Sequence, residues 1–376
     1  MPKSRVVVLR TRPERVLEDY GRLLQRARVK SVLAPGDPLI LKLNLSWTRY
    51  FPACSTEPWQ LEGTVRALLD QGYPRDSLLP VENRTVVTDP WKGARDNGWL
   101  PVLSRYGLRF TPLTEVEWVV HRFKEPLLRV DRLFPEGIQI PKMFIGRNVL
   151  HLPTLKTHGH SVTTGAVKNA FGGLLKEVRH YAHKHIHEVL SDLMVMQREL
   201  HPRLFAVMDG TVCGDGAGPR TMVPVIKDLI LASDDSVALD SVAARLMGFD
   251  PMRIGYLRLS HDRGLGVADP RDIEVEGEPV EGVNFGFRVS RSLVIWGDQM
   301  LRLGPLRFLE RLLLHSPLMV WAPFASNLYH DWLWYPTVGQ WRIRKFRRTP
   351  WGELADSYRK PPTRGTEPLP AGARVS

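Results

Sequence analysis

The sequence predicts an α/β protein: a largely parallel sheet with helices on both faces, in two lobes, followed by a Trp- and Arg-rich helical extension. Three observations lead there. Short apolar runs alternate with segments of helical period, the pattern of strand–helix–strand units. Gly and Pro punctuate that alternation. Beyond it, six of the eleven Trp crowd between Trp296 and Trp351.

Val6-Val7-Val8-Leu9 reads as a strand and Glu14–Arg26 as a helix. Leu39–Leu45 is strand-like, and Pro58–Gln71 is helical with a stop at Gly72. Ser77–Val81 reads as a strand, and Ala94–Tyr106 as one helix ended by Gly107. Glu115–Phe144 is less regular and joins the lobes or extends the sheet. The alternation resumes with Asn148–Leu152, Glu188–Leu200, Leu204–Met208, Val225–Leu231 and Ser236–Met247. This divides the chain into an N-terminal α/β lobe (1–145), a second lobe carrying the main site (146–285), a helical extension (286–358) and a disordered tail (359–376).

Composition narrows the function. The formal charge of +12 favours an anionic partner, or is simply a solvated basic surface. With Cys54 and Cys213 alone, the chain has no disulfide framework, no iron–sulfur cluster bound by four cysteines and no zinc knuckle. No run approaches twenty uninterrupted apolar residues and the first residues lack a secretory stretch, so the cytoplasm is the expected compartment.

The densest polar cluster runs from His151 through Lys156, His158, Thr164, Lys168 and Asn169 to Gly173. It follows a strand, where α/β proteins place their sites. Thr163 or Thr164 is expected to cap a short helix beginning near Gly165 and ending at Gly172-Gly173. Its free N–H groups would attract an anion, with Lys168 one turn inside and Lys156 and His158 in the preceding loop. The plain alternative is a turn of Thr and Gly with solvated Lys and His.

A second cluster, Arg179-His180 to His187-Glu188, holds four histidines in eight residues. If a helix starts there, Ala182, Ile186, Val189, Leu190 and Leu193 form its buried stripe. His183 and His187, at i and i+4, could then chelate a divalent transition metal, or form an unliganded polar edge. His185 points elsewhere, into solvent. A third feature, Asp209-Gly210 to Gly218-Pro219, reads as a strand ending at Asp209 and a glycine-rich close-approach loop, with Asp209 or Asp215 an orienting carboxylate, or as a plain tight turn.

Several of these stretches are similar to the uncharacterised family known as domain of unknown function 362. The resemblance spans roughly Leu39 to Gly266: Lys42-Leu43-Asn44, Ser55-Thr56-Glu57-Pro58, Pro153 to His158, Thr164 to Gly172, His183-Lys184, Val207 to Gly210, Asp234 to Asp240, and Tyr256 with Gly264-Leu265-Gly266. It implies that Lys42, Asn44, Lys156, Thr164, Asn169 and Asp209 join His158 and Lys168 around one cleft that binds substrate or cofactor. Many members carry a ferredoxin-like cysteine cluster that this chain lacks, and most have Pro where Leu43 stands. The spacing from His158 to Lys168 also resembles nickel-pincer lactate racemases. There the His is an acid/base, the Lys anchors a nickel-pincer nucleotide, and a metal-binding His would fall at Lys184, between His183 and His185.

Two function classes follow. One is an enzyme, isomerase- or racemase-like, acting on a small anionic substrate through His158 as acid/base and Lys168 as anion holder. The other is a ligand-binding accessory protein with peripheral membrane contact through Leu301–Leu314 and the Trp332–Arg348 region, which otherwise packs on the body. The same basic run could meet nucleic acid, but no nucleic-acid motif accompanies it.

Overall fold

Side-chain alternation along the early strands builds one core on one face of the sheet and two on the other. A computed structural model describes residues 3–85, 87–176, 180–302, 304, 305, 308 and 321–359. On β1 (Ser4–Arg10), Val7 and Leu9 enter one core while Val6 and Val8 face the other side. On β2 (Leu39–Lys42), Leu39 and Leu41 join the first core and Ile40 the second. A period of two with apolar residues at every position means a strand covered on both faces.

The remaining strands are β3 (Leu78–Glu82), β4 (Thr111–Pro112), β5 (Trp118–His121), β6 (Ile138–Pro141), β7 (Asn148–His151), β8 (Thr154–His158), β9 (Val162–Thr164), β10 (Leu204–Ala217), β11 (Thr221–Ser233) and β12 (Ile273–Gly277). One ten-stranded sheet runs in the order β12-β1-β11-β10-β7-β2-β3-β4, with β8 paired to β10 and β9 to β8. Most pairings are parallel; β1–β11, β11–β10 and β8–β9 are antiparallel. β5 and β6 form a separate ribbon. The sheet crosses the expected lobe boundary without a break, because β2 pairs with β7 and β1 with β11.

The helix Val16–Arg26 and the helix Pro58–Asp70 cover one face. Ala166–Leu174, Ile186–Leu200, Ser236–Met247 and Gly255–Asp262 cover the other. Pro at its first position and Gly72 at positive φ bound the helix Pro58–Asp70, as expected. The expected single helix over Ala94–Tyr106 is two, Pro90–Asp96 and Trp99–Arg105, because Gly98 adopts φ 75° between them.

The expected loop after Asp209 is instead strand. β10 continues through Gly214 to Ala217 and forms a long hairpin with β11, with a register shift between Gly210 and Val212. Its glycines do allow close approach. A Cβ on Gly214 would lie 2.3 Å from Met222 Sδ, and one on Gly218 would lie 1.8 Å from Thr157 O.

Beyond the sheet come helical segments Trp321–Asn327, Leu328–Gly339 (wide, π-type), Gln340–Phe346 and Pro350–Arg359, of which the last three fold back onto the first core. Trp334 lies 5.3 Å ring to ring from Phe51, and Trp351 lies 5.2 Å from Trp59. Trp47 Nε1 donates to Asp331 at 2.7 Å, and Arg342 donates to the Met222 carbonyl at 2.7 Å. The extension thus packs on the body, as one of the two sequence readings held. Most of Leu301–Leu314 and the tail 360–376 lie outside the described residues.

Candidate functional site: a lysine–imidazole cluster at the strand ends

The carboxyl ends of β2, β3 and β7 lie side by side, and most of the predicted residues gather there and at the end of β8, in two groups. In the first, Lys42 ends β2 and Glu82 ends β3. Lys42 Nζ donates to Glu82 Oε1 and Oε2 at 2.8 and 2.9 Å and to the Leu43 carbonyl at 2.6 Å, with both side chains buried. The helix Ala166–Leu174 passes over this ammonium through Gly172 and Gly173, which stay helical and do not end the helix as expected. A Cβ on Gly172 would lie 3.3 Å from Lys42 Nζ.

Next to it, Lys156 on β8 is fully buried. Its Nζ donates to Asn44 Oδ1 at 2.7 Å, the Cys54 carbonyl at 2.6 Å and Thr154 Oγ1 at 2.7 Å. Three N–H bonds now have three acceptors. Burial lowers its pKa to about 8, and Cys54 and Glu57 act against that shift. Asn44 Nδ2 donates to Asn169 Oδ1 at 3.3 Å, and Asn169 Nδ2 donates to the Lys42 carbonyl at 2.9 Å. His151 closes the network, with Nε2 2.6 Å from Gln197 Oε1. Burial drops its pKa to about 3. Lys42, Asn44, Lys156 and Asn169 therefore form one connected buried network.

His158 lies at the end of β8, where the expected loop is a β8–β9 hairpin. Its Nδ1 accepts the backbone N–H groups of His160 at 3.1 Å and Ser161 at 3.4 Å. Those bonds occupy the Nδ1 lone pair, so the neutral ring carries its proton on Nε2. Burial, then the neighbouring Lys168, His160 and His183, hold its pKa well below the usual imidazole range. A buried imidazole among cationic groups stays neutral, so His158 is not poised to exchange a proton near neutral pH as an acid/base residue would. The His158 and His160 rings are 5.8 Å apart, His160 and His183 5.0 Å, and His183 and Phe171 5.8 Å. Lys168 Nζ sits 5.3 Å from the Phe171 ring centre. His158, His160, His183 and Lys168 are thereby one cluster, with Gln299 from the helix Leu293–Arg302 reaching the Gly159 carbonyl at 3.2 Å.

The helix N-terminus at Gly165 is already occupied by a carboxyl group, that of Asp240, whose pKa burial lifts to about 7. Asp240 accepts the N–H groups of Ala166 at 2.6 Å and Val167 at 3.1 Å, and Tyr256 donates to it at 3.2 Å. Neither expected Thr cap forms, because Thr163 Oγ1 pairs with the Tyr256 hydroxyl and Thr164 Oγ1 donates to the Lys156 carbonyl. A Cβ on Gly165 would fall 2.0 Å from Asp240 Oδ1, so only glycine lets this carboxylate reach the helix.

Asp209 stands apart from both groups. It is fully buried and accepts from Tyr20 at 2.7 Å, Trp59 at 3.0 Å and Thr211 at 2.7 and 3.0 Å. Glu57 is also buried, and burial together with Asp209 lifts its pKa to about 8.

The histidines split. A turn of 3₁₀ helix holds His183 and His185, and the helix proper starts at Ile186. Ala182, Ile186, Val189, Leu190 and Leu193 are buried as predicted. His183 faces His160, whereas His187 stacks at 6.3 Å on Tyr256 and accepts its backbone N–H at 3.1 Å. His185 is half-buried, with Nδ1 3.8 Å from Glu188. Among the described residues no three His, Cys, Asp or Glu side chains could hold a metal together. His183 and His187 point into different surroundings, and Lys184 is exposed, so these residues do not fit the shell of a divalent transition metal or of a nickel-pincer nucleotide. Arg179 and the His180 side chain lie outside the described part.

Glu82, Asp240, Gln197 and His160 were not singled out as site residues by sequence. Asp240 closes the Asp234–Asp240 run, which was its one available signal.

Fold and site together define an α/β protein with a buried lysine–amide network and an adjoining imidazole–lysine cluster at the strand ends. The chain belongs to the family described as Domain of unknown function (DUF362), whose model matches residues 39–245, more than half of its length. It is 26% identical over 280 residues to the thylakoid-associated protein sll1697 of Synechocystis sp., covering 69% of this chain and 82% of that protein. Among the described residues no helix is long and apolar enough to cross a membrane.

Proposed function

We propose that this chain is an enzyme acting on a small anionic substrate held between His158 and Lys168, with proton transfer beside that anion as its reaction class. The supporting observation is the set tautomer of His158. With Nδ1 accepting two backbone N–H groups, Nε2–H is aimed as a donor and cannot act as a base without losing both bonds. A neutral imidazole in that state polarises a carbonyl or carboxylate oxygen. Lys168 adds positive charge to the same place. His160 and His183, half-buried and 5.0 Å ring to ring, are the groups to move the proton. Isomerisation of a 2-hydroxy acid is the specific form, since its α-proton lies next to the carboxylate that these groups would hold. The test is deuterium uptake from D2O by a panel of 2-hydroxy acids, with wild type and His158→Asn. Uptake that needs His158 supports the reading. Uptake by no acid, with no acid shifting the imidazole NMR signals, overturns it.

A second reading, a cytoplasmic accessory protein that touches a membrane surface, has its own observation. Along 324–348 the buried residues Ser326, His330, Trp334, Ile343 and Phe346 alternate with exposed Phe324, Leu328, Trp332 and Trp341. Exposed Lys345 and Arg348 follow. Aromatic rings beside cations suit a bilayer interface. The relative's name, thylakoid-associated, points the same way. Sedimentation with anionic vesicles separates this reading from the first, because His158→Asn should leave it unchanged.

A further inference from the structure

A cavity of about 610 Å³ opens where the C-terminal helices meet the body, remote in sequence from the His158 cluster. Arg49, Lys92, Arg347 and Arg359 line it with positive charge, and Asp96 and Asp356 with negative, an excess of two positive charges. Two tyrosines complete the wall and orient the cations. The Arg359 guanidinium lies 4.1 Å from the Tyr50 ring centre, and Arg49 lies 4.9 Å from that of Tyr335. Asp356 Oδ1 holds both Arg359 at 2.5 Å and Arg347 at 3.2 Å. Arg359 is four-fifths buried and forms the floor, whereas exposed Arg347 and Lys92 and half-buried Arg49 stand at the open mouth. The hydroxyl of Tyr50 is buried with no hydrogen-bond partner among the described residues.

Each guanidinium carries five N–H donors in a planar fork, and one carboxylate shared by two guanidiniums leaves donors to spare. Stacking on tyrosine and pairing with Asp356 set the forks in place before any ligand arrives, which lowers the entropy cost of binding. A group with two negative charges and several acceptor oxygens matches both the charge excess and the donor geometry.

We infer that this cavity binds a phosphate monoester, gripped by Arg347, Arg359 and Lys92 with Arg49 at its rim. Two of these residues come from the family-matched region and two from beyond it, so the site exists only where the C-terminal helices are docked. The phosphate belongs to a soluble metabolite or to a lipid headgroup. The exposed aromatic stripe on the same helices would bring a lipid phosphate close.

The full-length protein is titrated calorimetrically with glycerol 3-phosphate, and separately with vesicles of phosphatidylcholine containing phosphatidic acid or phosphatidylglycerol. Wild type should bind one of the monoesters. Arg347→Gln, Arg359→Gln and the exposed, fold-neutral Lys92→Gln should each weaken it about tenfold, as expected for a charge-assisted contact. Arg344→Gln, outside the cavity, should not. Binding of glycerol 3-phosphate alone assigns a metabolite. Preference for phosphatidic acid over phosphatidylglycerol, lost in Lys92→Gln, assigns a headgroup. No binding of either monoester by wild type, or equal binding by wild type and all three cavity variants, overturns the inference.

Discussion

Lys42 and Glu82 form a fully enclosed ion pair that ties β2 to β3, with Nζ 2.8 and 2.9 Å from the two carboxylate oxygens. Both side chains are almost entirely shielded from water. Removing one partner strands the other charge, which for buried pairs costs about 3–5 kcal/mol. Lys42→Met should therefore lower stability by that order in urea unfolding. Lys42→Met combined with Glu82→Leu should recover most of it. Equal loss in the single and double variants would mean that packing, not charge, sets the cost.

Asp240 caps the helix that carries Lys168, so its removal should act on both stability and site. Asp240→Ala should cost about 1–2 kcal/mol, the usual value of a lost N-terminal cap. It should also loosen amide exchange protection at Ala166–Lys168 while leaving Ile186–Leu200 protected. Uniform loss of protection along both helices would assign Asp240 to general packing.

Titration of the buried histidines has a definite sign. His151 is held at about 3 in the folded chain, against roughly 6.5 when unfolded. Between those values the unfolded chain binds the extra proton, so stability is complete above about pH 6.5 and falls as pH drops toward 3. His151→Gln keeps a donor for Gln197 and an acceptor for Asn169 but cannot titrate. It should reduce the acid slope by one proton, about 1.4 kcal/mol per pH unit. An unchanged slope in urea unfolding across pH 4–6 would show that His151 is not the group responsible.

His158→Asn separates the two ends of that imidazole. The amide oxygen can stand in for Nδ1 and accept the backbone N–H groups of His160 and Ser161, while the Nε2 donor is lost. Stability should stay within about 1 kcal/mol of wild type, the worth of one hydrogen bond. NMR of wild type at neutral pH should show the neutral ring protonated at Nε2, because burial and the neighbouring cations hold its pKa well below the usual imidazole range. The opposite tautomer would end the assigned donor role.

How much of this was legible in sequence depended on the range of each contact. Pro58 and Gly72 bounded a helix by local rules alone, and Leu39–Lys42 showed its strand through an unbroken apolar run. The strand Gly210–Ala217 was hidden because glycines removed the side chains that carry a period of two; they are there for close approach to β8, a tertiary reason. The single sheet across residue 145 rests on β2–β7 pairing, which local patterns do not encode. At the site, sequence motifs carried Lys42, Asn44, Lys156 and Asn169, which hydrogen bonds join. Their partners were not legible: Glu82 lies forty residues from Lys42, and Asp240 lies seventy-four from Ala166.

The C-terminal tryptophans give a paired prediction, because neighbouring residues face opposite environments. Trp332 is 73% exposed and Trp341 60%, whereas Trp334 is buried against Trp47 and Phe51. If the outer face meets a bilayer, Trp332→Ser and Trp341→Ser each remove apolar area that would otherwise enter the interface. At about 25 cal/mol per Å² a tryptophan side chain contributes of order 2 kcal/mol, so each change should weaken vesicle partitioning roughly tenfold or more. Neither should alter unfolding, since their rings touch water in the free protein. Trp334→Ala should do the reverse. It opens a cavity between the extension and the body, at a cost of about 3–5 kcal/mol, and should weaken vesicle binding only where it undocks the helices. Vesicle sedimentation and urea unfolding of the three variants decide the matter together. Loss of stability with unchanged partitioning for Trp332→Ser or Trp341→Ser would mean that the outer face is structural, and that membrane contact lies elsewhere on the chain.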